Sequence, residues 1–265
     1  MLRACLLLLA LLQDPSAPKI ELKVRPVEGD VLEVSDSWTH TFRGTLGEER
    51  MYLSTRGGRR LVVEMARVEG GKLTGKNVQV NDAYVEQQDV ATGKYIRKDD
   101  AIHGRKATIT LKNGREERTG LEGVSEPEQK TLTLEDPLTR LFPAAAVRVG
   151  ESWELAGDDL KKFFPAGDFT EGRIVVTLRD VKEIDGKKCA LLATNYDVSG
   201  KSADGVTREL RLLGTLTVWV DRGYVLAMTQ TGRLKTSGAD PKTNQPNGEA
   251  AVTGELKTVP VEKKK

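Results

Sequence analysis

Two histidines, His40 and His103, and two cysteines, Cys5 and Cys189, are the chain's only imidazole and thiol groups. The histidines lie too far apart for any short metal-ligand spacing and have no cysteine beside them, which argues against a catalytic zinc. His40 alternates with Trp38 and Phe42 in S-W-T-H-T-F, the pattern of a packed or rim residue on a strand face and not of a general base. His103, in D-D-A-I-H-G-R, reads as a loop residue. Cys189 sits in K-K-C-A-L-L-A, which predicts a strand with Cys189, Leu191 and Ala193 on one face and a thiol serving as a small buried apolar group.

The stretch Gly70 to Lys76 (G-G-K-L-T-G-K) has the glycine and lysine spacing of a phosphate-binding loop. Asn77 replaces the Ser or Thr that would hold magnesium and no helix follows, so the stretch reads as a hairpin turn. G-x-S-x-G, H-E-x-x-H, C-x-x-C and Rossmann glycine patterns are absent from the sequence. Asp and Glu number 39, enough for a pair to meet as acid and base of a hydrolase, but nothing singles one pair out. No residue is therefore assigned a catalytic, cofactor-binding or metal-binding role, and no cofactor is expected.

The elements that would position any site are short period-2 runs separated by turn residues, the signature of antiparallel sheet. Ile20, Leu22 and Val24 alternate with Glu21, Lys23 and Arg25, Leu61, Val63 and Met65 with Val62, Glu64 and Ala66, and Ala107, Ile109 and Leu111 with Thr108, Thr110 and Lys112. Asn113-Gly114 and Asp185-Gly186 lie between such runs and accept the positive φ angles of a type I′ hairpin turn. After Asp185-Gly186 a meander is predicted, with strands through Leu191, over 209–213, over 215–220 and over 224–235 across the Asp221-Arg222-Gly223 turn. A polar loop over 237–248 leads to a last strand over 250–259.

Helical signal is read in two places. Asp136-Pro137-Leu138-Thr139-Arg140-Leu141 offers a cap followed by proline at the first helical position, and Asp158 to Phe164 offers two turns ending before Pro165. The expected fold is all-β: a large, strongly curved antiparallel sheet or half-barrel meander with one or two short helices. Its expected organisation is an N-terminal β half over 18–136, a C-terminal β half over 137–261 continuous with it, and a basic tail over 262–265. No fixed-period repeat points to a propeller or solenoid.

Met1-Leu2-Arg3 followed by the apolar run Ala4 to Leu12 predicts a signal peptide over 1–17, its cleavage point open between Gln13 and Ala17. The run is shorter than the ~20 apolar residues that span a bilayer, so no transmembrane segment is expected once it is removed. Cys5 lies inside this run, leaving Cys189 as the one thiol of the expected mature chain. Lys plus Arg (41) nearly balance Asp plus Glu (39), and the signs alternate, which argues against a nucleic-acid partner.

The segment Val147 to Trp153 (V-R-V-G-E-S-W), with Pro143 shortly before and a strand ending in Asp185-Gly186 after, carries a resemblance. A V-x-V-G-[DE]-[ST]-W motif in this setting resembles an uncharacterised family of secreted or envelope bacterial proteins, across about residues 136–236. Some of these are similar to half-barrel periplasmic carriers of lipids or lipoproteins. The resemblance implies an extracellular or periplasmic β protein and carries over no catalytic residue. Physically, Gly150 is placed to make a tight turn and Trp153 to enter the next strand as an apolar plug.

Three readings follow. The first is a non-enzymatic envelope protein that binds a lipid, a lipoprotein tail or another apolar ligand in a curved sheet. The second is a structural or interaction module, with Trp38, Trp219 and Tyr224 as candidate contact residues for another envelope protein. The third is a hydrolase built on two carboxylates.

Overall fold

A computed structural model describes residues 18–89, 91–164, 169–201, 205–238 and 246–261. Twelve strands form one antiparallel sheet: β1 (Val31–Leu46), β2 (Glu49–Glu69), β3 (Lys72–Gln88), β4 (Tyr95–Asp99), β5 (Lys106–Lys112), β6 (Arg115–Thr119), β7 (Ser152–Ala156), β8 (Glu171–Ile184), β9 (Lys187–Lys201), β10 (Thr207–Trp219), β11 (Tyr224–Ser237) and β12 (Asn247–Val261). The spatial order is β6-β5-β3-β2-β1-β12-β11-β10-β9-β8-β7, with β4 beside β3, so the sheet ends at β6 and β7 and does not close. The first and last strands are neighbours near its middle, in register from Val31 opposite Val261 to Thr45 opposite Asn247. The expected all-β, curved meander is the observed architecture.

Hairpin chemistry sets the local connections. Asn113 and Gly114 take φ of 51° and 75°, and Asp185 and Gly186 take 49° and 70°, as a type I′ turn requires. The stretch read as a false phosphate loop is the β2–β3 hairpin, turned at Gly70 and Gly71. Two readings of the strands are corrected. Residues 209–213 and 215–219 are not separate strands but parts of β10, which runs through Gly214 while pairing β9 and β11 on its two sides, and Val220 falls in the turn after it. Ile20 and Leu22 are buried, but their segment makes only an isolated bridge to Val147; it crosses over the sheet instead of joining it.

The period-2 register puts most of the buried apolar side chains on one face of the sheet, the inner face, while Leu213, Val259 and Val261 fall on the other and are exposed. One core cluster covers its C-terminal half, including Ile174, Leu192, Tyr196, Leu212 and Leu216, with Ile20, Leu22, Leu141 and Leu160 packed over them. A second covers β1, β2, β3 and β5 with Val63, Val78, Val80 and Ile109, under Ile102, Leu121, Leu132 and Leu134. The outer face carries cross-strand ion pairs such as Arg233 with Glu249 (3.0 Å) and Arg211 with Asp197 (3.3 Å).

Three short helical pieces hold the covering segments. Asp136 caps a 3-10 turn over Pro137–Leu141 by accepting from the Leu138 amide, as expected, and α2 spans Asp158–Phe163. A further helix, α1 (Glu126–Gln129), was not expected; Ser125 and Glu128 form a capping box around its first turn, and that S-x-x-E spacing was present in the sequence. Gly150 has φ 89°, and Trp153 enters β7 with its ring against the first cluster and its Nε1 donating to the Leu141 carbonyl at 2.7 Å.

Residues 1–17 and 262–265, the expected signal peptide and basic tail, lie outside the described residues. So does most of the polar loop over 237–248.

Candidate functional site, a cavity under the curved sheet

A cavity of about 340 Å³ lies where the two clusters meet. Its floor is the inner face of β1, β2, β3 and β12, through Leu32, Val34, Leu61, Val63, Val78 and Leu256. Its roof is the segment from Thr131 to Pro137, and one side is closed by Val24, Pro26 and the Gly223–Val225 turn. Gly223 (φ 68°) is required here: a Cβ would overlap the Lys23 carbonyl, and this close approach lets the Arg25 amide donate to Arg222 O at 2.8 Å.

The roof is a loop held by charged side chains. Lys76, on the inner face of β3, donates from Nζ to Thr133 O at 2.7 Å and to Leu134 O at 3.4 Å. Arg118 Nε on β6 donates to Leu132 O at 2.9 Å, and Glu116 accepts from the Leu134 amide at 3.1 Å while pairing with Arg118. These bonds satisfy backbone groups that would otherwise sit unpaired against an apolar cavity.

Four charged groups line the interior. Arg59 and Asp36, opposite each other on β2 and β1, pair at 2.7 Å. Lys76 and Asp136 both reach the cavity wall and act on each other electrostatically. Burial lowers the Lys76 ammonium from its ordinary value and raises the Asp136 carboxyl, because each charge is poorly solvated there. One Asp136 oxygen accepts from Leu138 N at 2.9 Å. The two acidic side chains are thus both engaged, Asp36 by an arginine and Asp136 by a backbone amide.

The residues singled out in the sequence fall elsewhere. His40 packs at a tilt against Trp38 with ring centroids 4.8 Å apart, and burial lowers its pKa from the ordinary 6.5. Cys189 is fully buried and burial raises its thiol pKa, but the buried face of β9 is Ala190, Leu192, Thr194, Tyr196 and Val198, the phase opposite to the one expected. Tyr224 is no surface contact residue: it is buried, with its hydroxyl donating to Asp30 Oδ2 at 2.9 Å. Trp219 is half-buried, packed on the second cluster and flanked by Lys187 and Arg222 over its ring.

His103 belongs to a group with Asp82 and Asp99 whose ligand atoms lie within 4.8 Å. Arg97 binds both carboxylates, at 2.6 and 2.8 Å, and His103 Nδ1 accepts from the Ala83 amide at 3.3 Å. That arrangement is an ion-pair network tying β3 to β4 and to the turn after it. Lys76 and the cavity it enters were missed. The usable signal was a lysine two residues before Val78 and four before Val80, in phase with an inward apolar face.

No protein-family model and no curated protein matches this chain. Among solved structures, one concerned with lipid–protein interactions in lipovitellin aligns at 8% identity with a TM-score of 0.44, covering 89% of this chain. This chain spans 25% of that one. DynF, from the dynemicin biosynthesis pathway of Micromonospora chersina, aligns at 8% identity with a TM-score of 0.26, covering 93% of this chain and 90% of its own. Similarity at these scores carries no functional argument, so the functional reading rests on the cavity.

Proposed function

We propose that this chain is an exported, non-enzymatic protein of a bacterial-type envelope or exterior that holds a lipid or other apolar ligand beneath its curved sheet. The observation that carries the reading is the cavity: about 340 Å³, floored by aliphatic side chains and roofed by a loop that charged residues anchor. That volume lies within the roughly 300–1,000 Å³ of small-molecule sites, and such sites join apolar walls to a few convergent polar groups. The apolar run over Ala4 to Leu12 supports export. Among the described residues no helix is long and apolar enough to cross a membrane.

The test is native mass spectrometry on protein purified without detergent from its own host, followed by solvent extraction. A reproducible added mass released as lipid supports the reading and gives the cargo class. A bare polypeptide that also fails to take up added lipid rejects it.

A further inference from the structure

Resting on that reading, we propose that the cavity takes a single-chain amphiphile with an uncharged, hydroxyl-bearing head, such as a fatty alcohol or a monoacylglycerol, and discriminates against fatty carboxylates. The size argues for one chain, since about 340 Å³ is near the lower bound of small-molecule sites. The charges argue for the head. The groups on the interior wall are Arg59 with Asp36 and Lys76 with Asp136, two of each sign, while Lys23, Lys72 and Glu135 sit at the exposed rim.

Arg59 and Asp36 satisfy each other at 2.7 Å. Lys76 spends two of its three N–H donors on the Thr133 and Leu134 carbonyls, and Asp136 gives one oxygen to the Leu138 amide. At this end of the cavity Lys76 has a third N–H and Asp136 a second oxygen, a donor and an acceptor of opposite charge. A hydroxyl accepts from the first and donates to the second without bringing in a charge. A carboxylate meets Lys76 but also the like charge of Asp136, and it sheds its hydration on entry. A cationic head meets the reverse conflict.

The experiment displaces the uncharged dye N-phenyl-1-naphthylamine from the full chain with three 12-carbon competitors: monododecanoylglycerol, dodecanoate and dodecyltrimethylammonium. The parent should bind the monoacylglycerol at least about tenfold more tightly than either ion. Asp136→Asn keeps a helix-capping side chain and should bring dodecanoate level with or ahead of the monoacylglycerol. Lys76→Met should weaken dodecanoate further and raise affinity for the cation. Thermal melting of each variant confirms folding. Equal affinity of the parent for dodecanoate and monoacylglycerol, or a preference ratio that Asp136→Asn leaves unmoved, overturns the headgroup assignment and leaves the cavity reading standing. A dye that does not bind the parent, with no competitor detected by native mass spectrometry, overturns both.

Discussion

The Lys76 ammonium donates to the Thr133 carbonyl at 2.7 Å, joining the inner face of the sheet to the loop that roofs the cavity. A charge placed in phase with Val78 and Val80 is costly unless its donors are met, and the roof backbone meets them. The same contact fixes the roof over the aliphatic floor, so the cavity and its polar anchor come from one interaction.

Tyr224 closes the side of the cavity and depends on Asp30. Tyr224→Phe removes a hydrogen bond to a carboxylate at 2.9 Å and leaves Asp30 with Arg222 at 3.6 Å. The expected loss is about 1–3 kcal/mol, read from urea denaturation with an unchanged m-value.

Trp153 is the plug that its sequence context suggested. Trp153→Phe keeps a ring against the first cluster and loses the bond to Leu141, costing about 1 kcal/mol, whereas Trp153→Ala should cost about 3–5 kcal/mol. A similar loss for both variants would mean that the indole N–H, not the packing, holds that corner.

Gly232 lies where strands β10 and β11 approach closely. A Cβ there would overlap the Arg211 carbonyl and come within 2.8 Å of Leu212 Cα, both backbone groups with no freedom to rotate away. Gly232→Ala should destabilise by at least about 1–3 kcal/mol in thermal or urea melts. A melt within error of the parent would show that the sheet relaxes there.

The half-buried His40 imidazole titrates below its ordinary 6.5, so near and below that pH the unfolded chain binds more protons than the folded one. Its contribution to stability is present above about pH 6.5 and is lost as pH falls toward the depressed folded-state value. His40→Phe should flatten the difference in stability between pH 7 and pH 5 relative to the parent, measured by denaturant midpoints at each pH.

Much of the fold was legible because its signals are local. The Asn113-Gly114 and Asp185-Gly186 turns, the Asp136 cap and the alternation of Leu61, Val63 and Met65 each act within a few residues. What was not legible is non-local. Nothing near Val31 announces that its strand pairs with the one ending at Val261, and the buried alternation of Ile20 and Leu22 is the same whether the segment joins a sheet or crosses over one. Cys189 misled for a related reason: it and Ala190 are both fully buried, so alternation gives no phase at that end of β9. The cavity was invisible because Lys76 meets Thr133 only through the fold, although its phase with Val78 marked an inward charge.

The space between Val34, Leu61 and the roof is the proposed ligand site. Val34→Phe fills that space from the floor. Titration with N-phenyl-1-naphthylamine should show at least about tenfold weaker binding than the parent, with a melting temperature held or raised by the added packing. Unchanged affinity in a folded Val34→Phe protein would rule out this cavity as the site and place any ligand elsewhere on the molecule.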